Sequence, residues 1–431
     1  MTNEIIGLLC LGGTIGLIVL GLPIAFSMGI MAVVGILQIA GLRTAIGVMK
    51  TAPFELASSW ELSAIPMFIL MGTIAFHSGM TASLFNAARL WLYRLPGGLA
   101  VATNFACAGF AAASGSSLAT TIAMGRLTIP EMRRYNYDVG LATGVTAAAG
   151  TLGSLIPPSI LLVIYGVFAE VSIPKLFIAG ILPGILTAAA YAGMIVIRCM
   201  VNPSLAPASE VGGDPRAKWR ALADVWPLPL LVVLVIGTIY AGIATPTEAG
   251  AFGAVFAMLI ALIMGKLNWR VIYESLRESI LSSAAIFIVA IAAMLMTRLM
   301  SYSGAPAYLS QILGPFMGSP LSLVLALAVM YLLLGCVLDS SGMVFLTLPV
   351  VLPLLIQLDV DLIWFGILLV KFVEIGMITP PVGMNVFAVK ALTPDVPLGL
   401  IFRGVTWFVA TEIAVTGLII AFPIIALLLV P

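Results

Sequence analysis

Apolar runs parted by short polar stretches fill the chain from Ile5 to Val430, and their lengths carry the first structural information. Crossing the hydrocarbon core of a bilayer as a helix takes ~20 apolar residues, and runs of that order recur along both halves. In the first half they predict helices over about 5–20 and 23–40, an amphipathic connector over 42–57 and a helix over 62–79. An apolar pair over 99–129, parted by a polar tip, a helix over 139–169 interrupted at Pro157-Pro158 and a closing helix over 176–200 follow. The second half predicts the same series: 226–242, 246–265, a connector over 268–278, 280–302, a parted pair over 321–358, an interrupted helix over 362–391 and a closing helix over 403–429.

Individual residues repeat with this series, which is the signature of an internal duplication. Pro23 matches Pro246, Ser78-Gly79 matches Ser303-Gly304, Gly109 and Ser114 match Gly335 and Ser340, and Gly153 with Pro157-Pro158 matches Gly376 with Pro380-Pro381. Each parted pair is too short for two comfortable crossings and carries a Gly/Ser break, so it reads as a re-entrant hairpin that enters and leaves on one side. Five crossings then remain per copy. An odd number turns the second copy upside down, the inverted-repeat plan of secondary transporters. Residues 1–200 form the first inverted repeat in this reading, 201–223 a cytoplasmic linker and 224–431 the second repeat.

Charge placement bears on the same question. Under five crossings per copy, fourteen of the 19 Lys and Arg fall on one side, among them Arg89, Arg126, Arg133, Arg220, Arg277 and Lys390. Arg43, Lys50, Lys175 and Arg298 fall on the other, and Lys371 lies within a span. The positive-inside rule makes the first side cytoplasmic and puts both termini in the periplasm. The first hairpin then enters from the cytoplasm and the second from the periplasm.

Composition narrows the function classes. The chain is 62% hydrophobic and 9% charged, against about 25% charged in soluble domains; an all-α polytopic membrane protein in contact with lipid is implied. The longest polar stretch, about 201–224, leaves no room for a soluble catalytic domain. A net charge of +1 argues against a nucleic-acid partner. No Lys or Arg precedes the first apolar run, so the charged opening of a cleavable signal peptide is missing and the first helix is expected to stay. Cys10, Cys107, Cys199 and Cys336 are scattered singly, and His77 is the one histidine, so no zinc-type spacing exists. An intramembrane enzyme would need a nucleophile or metal constellation, and neither HExxH nor GxSxG is present.

The candidate chemistry sits at the breaks. The tips read Ala113-Ser114-Gly115-Ser116-Ser117 and Asp339-Ser340-Ser341-Gly342. Polar irregular backbone is tolerated at membrane depth only where protein buries it or water reaches it, so the tips should line a cavity. The interrupted helices carry Gly150-Thr151-Leu152-Gly153 ahead of Pro157-Pro158, and Glu374-Ile375-Gly376 with Thr379 ahead of Pro380-Pro381. Proline removes an N–H and frees carbonyls upstream. Those carbonyls and the hydroxyls suit a small hard cation, while half-helix N-termini suit a carboxylate. The bland alternative is that Pro-Pro kinks a packed helix and the small residues let helices approach closely. Asp339 is read as a cation-binding or gating group, with a structural hydrogen-bond role as the alternative. Lys371 and Glu374, spaced i, i+3, read as an ion pair, and Arg298 as an interfacial anchor. The two connectors read as helices lying in the membrane surface.

The segments SGSSLATTIAMGRLTIPEM, GTLGSLIPPSILLVIYG and EIGMITPPVGMNVFAVKAL resemble the large membrane subunit of tripartite ATP-independent periplasmic (TRAP) transporters, the DctM-like family, across essentially the whole chain. The resemblance implies an ion-transporter-superfamily fold with a scaffold and a mobile elevator domain, coupled to Na⁺ at two or more sites. It implies a small membrane subunit as a separate chain, a periplasmic substrate-binding protein, and residence in a bacterial inner membrane. The cargo implied is an organic acid such as sialic acid or a C4-dicarboxylate. By resemblance, Ser114, Gly115 and Ser117 with Gly150, Thr151 and Gly153 would form one Na⁺ site. Asp339 and Gly342 with Gly376 and Thr379 would form its mate. Substrate would be reached by Ser116, Ser340, Ser341 and Asn385. The nearest alternative is a stand-alone Na⁺- or H⁺-coupled carrier or antiporter of the same superfamily; a channel is a more distant one.

Overall fold

The computed structural model describes residues 2–207, 215–313, 319–336 and 338–430. Every regular element among them is helical. The first half supplies α1 (Asn3–Val19), α2 (Ile24–Ala57), α3 (Ala64–His77), α4 (Met80–Leu92), α5 (Gly98–Ser114), α6 (Ser117–Arg134), α7 (Val139–Thr151), α8 (Ile160–Phe168) and α9 (Ile173–Val201). A short α10 (Pro215–Ala223) leads into the second half. There follow α11 (Pro227–Tyr240), α12 (Pro246–Ile263), α13 (Trp269–Ser303), α14 (Ala305–Leu313), α15 (Pro320–Gly335), α16 (Ser340–Gln357), α17 (Leu362–Ile378), α18 (Met384–Leu392), α19 (Leu398–Ala421) and α20 (Ile424–Leu427). The spacing of helix starts is nearly constant between halves: α1 and α11 begin at Asn3 and Pro227, α6 and α16 at Ser117 and Ser340, α9 and α19 at Ile173 and Leu398.

Among the described residues seven helices are long and apolar enough to cross a membrane, or eight if the pair Glu61–His77 and Met80–Leu92, bent by 60°, is one span. The protein is an all-α polytopic membrane protein. Length explains the gap between this number and the ten crossings read from the apolar runs. α1 has 17 residues, and each interrupted helix falls into pieces of at most 17 residues, none of which qualifies alone. α16 does qualify, although the sequence reads it as half of a re-entrant hairpin.

The two connectors are helical, and they meet their neighbouring helices differently in the two halves. In the first half α2 consists of two helices that meet at a kink, where Gly41 leaves helical geometry at φ 80° and ψ 171°, so residues 42–57 form a helix of their own. In the second half the connector is continuous with the following helix within α13, which Asn268 starts by accepting the Val271 N–H at 3.0 Å. Neither glycine nor proline stands between Trp269 and Ser303, so nothing stops the helix. At 1.5 Å per residue its 35 residues reach about 52 Å, well beyond a hydrocarbon core of about 30 Å. Arg298 at its far end bonds Glu55 of α2 at 3.0 Å, which gives that arginine a definite partner.

Packing gathers the helices into two groups, joined where α16 meets α13 and α3 meets α5. α2 lies along α13, α12 along α3, and α1 on α2. Separately, α7 packs against α6 and α19, α15 against α17, α18 against α6, and α9 against α5, α17 and α19. Glycines set the closest approaches in the second group. A methyl on Gly404 of α19 would lie 1.9 Å from the Gly140 carbonyl oxygen of α7, and one on Gly376 of α17 would lie 2.6 Å from the Gly335 Cα of α15. Without a driving force from water, helices in lipid associate through such small-residue contacts.

Candidate functional site

The first tip is built by a left-handed turn. α5 ends at Ser114, Gly115 takes φ 61°, and Ser116 caps α6 by accepting the Ala119 N–H at 3.4 Å. A side chain at Gly115 would sit 2.7 Å from the Pro158 carbonyl oxygen, so only glycine serves there. The Gly115 carbonyl accepts the Ile160 N–H at 3.1 Å, tying the tip to the first turn of α8. Inside the turn the Ser114 hydroxyl meets the Thr120 hydroxyl at 2.7 Å, and Thr120 donates to the Ser116 carbonyl at 2.8 Å.

The helix break lies directly behind this tip. α7 stops at Thr151 and a single tighter turn, Leu152–Ser154, follows. The Pro157-Pro158 bond is cis, and α8 restarts under the Ser159 cap, which accepts the Leu162 N–H at 3.3 Å. A methyl on Gly153 would lie 2.4 Å from the Ser116 carbonyl oxygen, and one on Gly150 would lie 1.9 Å from the Thr121 hydroxyl. Ser114, Gly115, Ser116, Ser117, Gly150, Thr151 and Gly153 are therefore gathered on one hairpin and the break beside it. Thr151 spends its hydroxyl on the Ala148 carbonyl at 2.7 Å.

Asn385 joins this cluster from the other half of the chain. From the first turn of α18 its Nδ2 donates to the Ser117 hydroxyl at 2.7 Å and to the Ala147 carbonyl at 3.2 Å. The residue is fully buried, and its Oδ1 has no hydrogen-bond partner among the described residues.

The second tip has its own surroundings. Asp339 caps α16 by accepting the Gly342 N–H at 3.2 Å, and Ser340 and Ser341 are half-buried in the first turn. α17 stops at Ile378, Thr379 is extended, Pro380-Pro381 is cis, and Gly383 at φ 64° starts α18. Gly376 touches Gly335 across α15, and Cys336 donates to the Pro380 carbonyl at 3.0 Å. Thr379 donates its hydroxyl to the Ile375 carbonyl at 2.6 Å. Gly342 lies against the Asp339 carboxylate and Ile24 of α2.

A cavity of about 440 Å³ opens at the first tip, between α3 and α13 on one wall and α5, α6 and α8 on the other. Ser114 and Ser116 line it, with Phe76 and Phe110 beside them and Arg126, Arg277 and the His77–Glu278 pair along it. Ser340 and Ser341 are not among its lining residues. Among the described residues no group of three or more His, Cys, Asp and Glu is placed to hold a metal ion, so a cation here would rest on hydroxyls, carbonyls and single carboxylates.

The Lys371–Glu374 ion pair read from the sequence is present, and sequence reasoning missed the lysine's second carboxylate partner. Lys371 donates to Glu374 at 3.3 Å, to the Thr187 hydroxyl at 2.9 Å and to Glu412 of α19, all fully buried. Glu412 stands mid-run in VTWFVATEIAVTGL, and its placement in a closing span was the signal available.

Comparison with known proteins follows this geometry. The family described as tripartite ATP-independent periplasmic transporter, DctM component, matches residues 11–425. The chain is 36% identical over 361 residues to the C4-dicarboxylate TRAP transporter large permease protein DctM of Pseudomonas aeruginosa, covering 81% of each. It is 30% identical over 422 residues to the sialic acid TRAP transporter large permease protein SiaM of Vibrio cholerae, covering 97% of this chain and 96% of that one. Its fold is shared with the crystal structure of the Alcanivorax borkumensis YdaH transporter, at a TM-score of 0.64 and 15% identity over 89% of each chain.

Proposed function

The chain belongs to the DctM-component family of TRAP transporters, and from that premise we propose that it is the large transmembrane subunit of a Na⁺-coupled importer of an organic acid. In this reading a periplasmic binding protein delivers the acid, and a small membrane subunit completes the complex in a bacterial inner membrane. Relatives named for C4-dicarboxylate and sialic acid transport support a carboxylate cargo.

The observation that carries the proposal is the first tip: a polar, glycine-built turn at a cavity, backed by a helix break and by the buried Asn385. Na⁺ is a co-transported substrate here. The orphan Asn385 Oδ1, the Ser114 and Ser117 hydroxyls and the carbonyls around Gly150 to Gly153 are the hard oxygen donors such an ion takes. The N-termini of α6 and α8 present N–H groups to a carboxylate at the Ser116 edge. The Asp339 tip, with Gly342, Gly376 and Thr379, is the second cation site in this proposal, and Ser340 and Ser341 are the second substrate contact. The cavity at the seam between the two helix groups supports an elevator, in which the hairpin group slides against the α2–α13 group. The two groups extend across both halves of the chain, as an inverted repeat requires, and the distribution of Lys and Arg is what supports placing both termini in the periplasm.

Uptake into proteoliposomes holding the reconstituted complex tests this. An inward Na⁺ gradient should drive accumulation only when the binding protein is present. Equal uptake with K⁺ in place of Na⁺ would remove the coupling, and uptake by this chain without a binding protein would favour the stand-alone carrier.

A further inference from the structure

We propose that the end of α4 and the helix α10 form a binding site for an anionic phospholipid, its phosphate among Arg94, Lys218 and Arg220 and its acyl chains against Trp219 and Leu222. The inference needs only the membrane setting of the chain and stands apart from the ion and cargo sites.

Length places α10 at the depth of lipid headgroups. With α11 it makes up the span Arg216–Tyr240, whose 25 residues cover about 37 Å at 1.5 Å per residue, against a hydrocarbon core of about 30 Å. The charges of this span, on Arg216, Lys218, Arg220 and Asp224, all come before Val225, so the excess length lies at that end. Tryptophans concentrate there, as they do at membrane interfaces. Trp219 and Trp226 belong to the span itself, and Trp91 of α4 meets Trp219 edge to face at 5.3 Å.

α10 divides into three faces. Ala217 and Ala221 turn towards α4, where Ala221 packs with Ala87 and Leu90, and the Trp91 indole N–H donates to the Lys218 carbonyl at 3.3 Å. Helical spacing gathers Trp219, Leu222 and Ala223 into an exposed apolar edge and sets Arg216 and Arg220 beside it. Trp219 is 65% exposed. An open apolar edge flanked by arginines is the pattern of a helix that meets the headgroup and acyl boundary.

The cations at this edge lack counter-ions. Lys218 Nζ lies 4.4 Å from the centre of the Tyr93 ring and the Arg94 guanidinium 5.7 Å from it, and Arg94 Nε donates to the Tyr93 hydroxyl at 3.0 Å. Two like charges therefore share one ring. Among the described residues neither of them, nor Arg220, has a carboxylate within ion-pair distance. Glu131 is held by Arg89, Asp224 is exposed and forms no ion pair, and Glu210 and Asp214 lie outside the described residues. Like charges drawn together repel, and a phosphate diester among them reverses the sign of the interaction. The apolar edge beside them favours a lipid over free phosphate. Because α4 joins α3 of one helix group to α5 of the other, an occupied site steadies the link between the groups.

The full chain in phosphatidylcholine nanodiscs provides the test. A223C carries a fluorophore on a background of buried native cysteines, and doxyl-labelled phosphatidylglycerol or doxyl-labelled phosphatidylcholine is titrated in. At equal mole fraction phosphatidylglycerol should quench at least about threefold more efficiently. About 1 M NaCl should bring the two lipids together. R94Q/K218Q/R220Q should lower their ratio to about one, with quenching by phosphatidylcholine unchanged, the sign that the helix has kept its place. Equal quenching by the two lipids before these substitutions overturns the proposal, as does a preference that survives all three. Exclusion of both lipids on adding the small membrane subunit overturns it as well and assigns the face to that protein.

Discussion

Asp339 shows how one side chain is divided between two tasks. Its carboxylate accepts the Gly342 N–H and so caps α16, which is worth about 1 kcal/mol to a helix; the proposed function asks it to meet a cation as well. Asparagine keeps the acceptor and loses the charge, whereas alanine loses both. D339N should hold the wild-type melting temperature while Na⁺-driven uptake falls at least about tenfold, and D339A should lose about 1 kcal/mol of stability in addition. Uptake by D339N at the wild-type rate would leave Asp339 as a cap alone. Asn385 is bonded on one side and orphaned on the other; N385A should therefore cost uptake more than it costs folding, read as lost Na⁺ dependence at unchanged expression. The difference in legibility between residues is physical. Proline and glycine alter their own backbone, so the tips and breaks can be read locally from Pro157-Pro158, Gly115 or Gly383. Glu412 matters through Lys371, 41 positions away, and no local pattern records such a contact.

At the scale of elements, the second helix group is held by backbone contact. Because a methyl on Gly404 would enter the van der Waals shell of the Gly140 carbonyl, and neither backbone can yield cheaply, G404A should lower stability by about 1–3 kcal/mol. Thermal unfolding in detergent reads this out. A weaker tie joins α6 to the loop after α18, where Arg133 grips Asp395 through two nitrogens at 2.6 and 3.3 Å. The hydrogen bond from Arg133 holds the Asp395 carboxyl below the usual range. The contribution of a depressed carboxylate is complete above its unfolded pKa and fades as pH falls through the folded value. The difference in melting temperature between wild type and R133Q should be small, constant from about pH 8 to about pH 5, and should shrink as pH falls below about 4. Both side chains are substantially exposed, and for that reason the difference stays small. Element boundaries were the least legible feature. The amphipathic composition of residues 42–57 and 268–278 is plain in the sequence, and the kink at Gly41 sets the first stretch apart, but the uninterrupted run through Glu278 carries the second into the helix after it.

At the scale of the molecule, the two hairpins should be reachable from opposite faces. All four native cysteines are buried, so single cysteines at Ser116 and Ser340 can be read against a low background. An impermeant thiol reagent should label S116C from the cytoplasmic face and S340C from the periplasmic face; labelling of both from one face would end the inverted arrangement. The polytopic all-α character follows from apolar content alone, since lipid forces each crossing to satisfy its own backbone. The partition into two packed groups does not follow in this way, because it depends on which glycines meet.

The cavity at the first tip has a pharmacological meaning. It is framed by α3 and α13 on one side and by the first hairpin and α8 on the other, and Phe76, Phe110, Leu281 and Ile286 make much of its surface apolar. Its volume of about 440 Å³ falls within the range that accepts a drug-sized molecule. A compact amphiphile lodged there would be held between the α3–α13 wall and the first hairpin. It would not need the charge of the natural cargo, but since Ser114 and Ser116 line the same cavity, raising the cargo concentration would dislodge it.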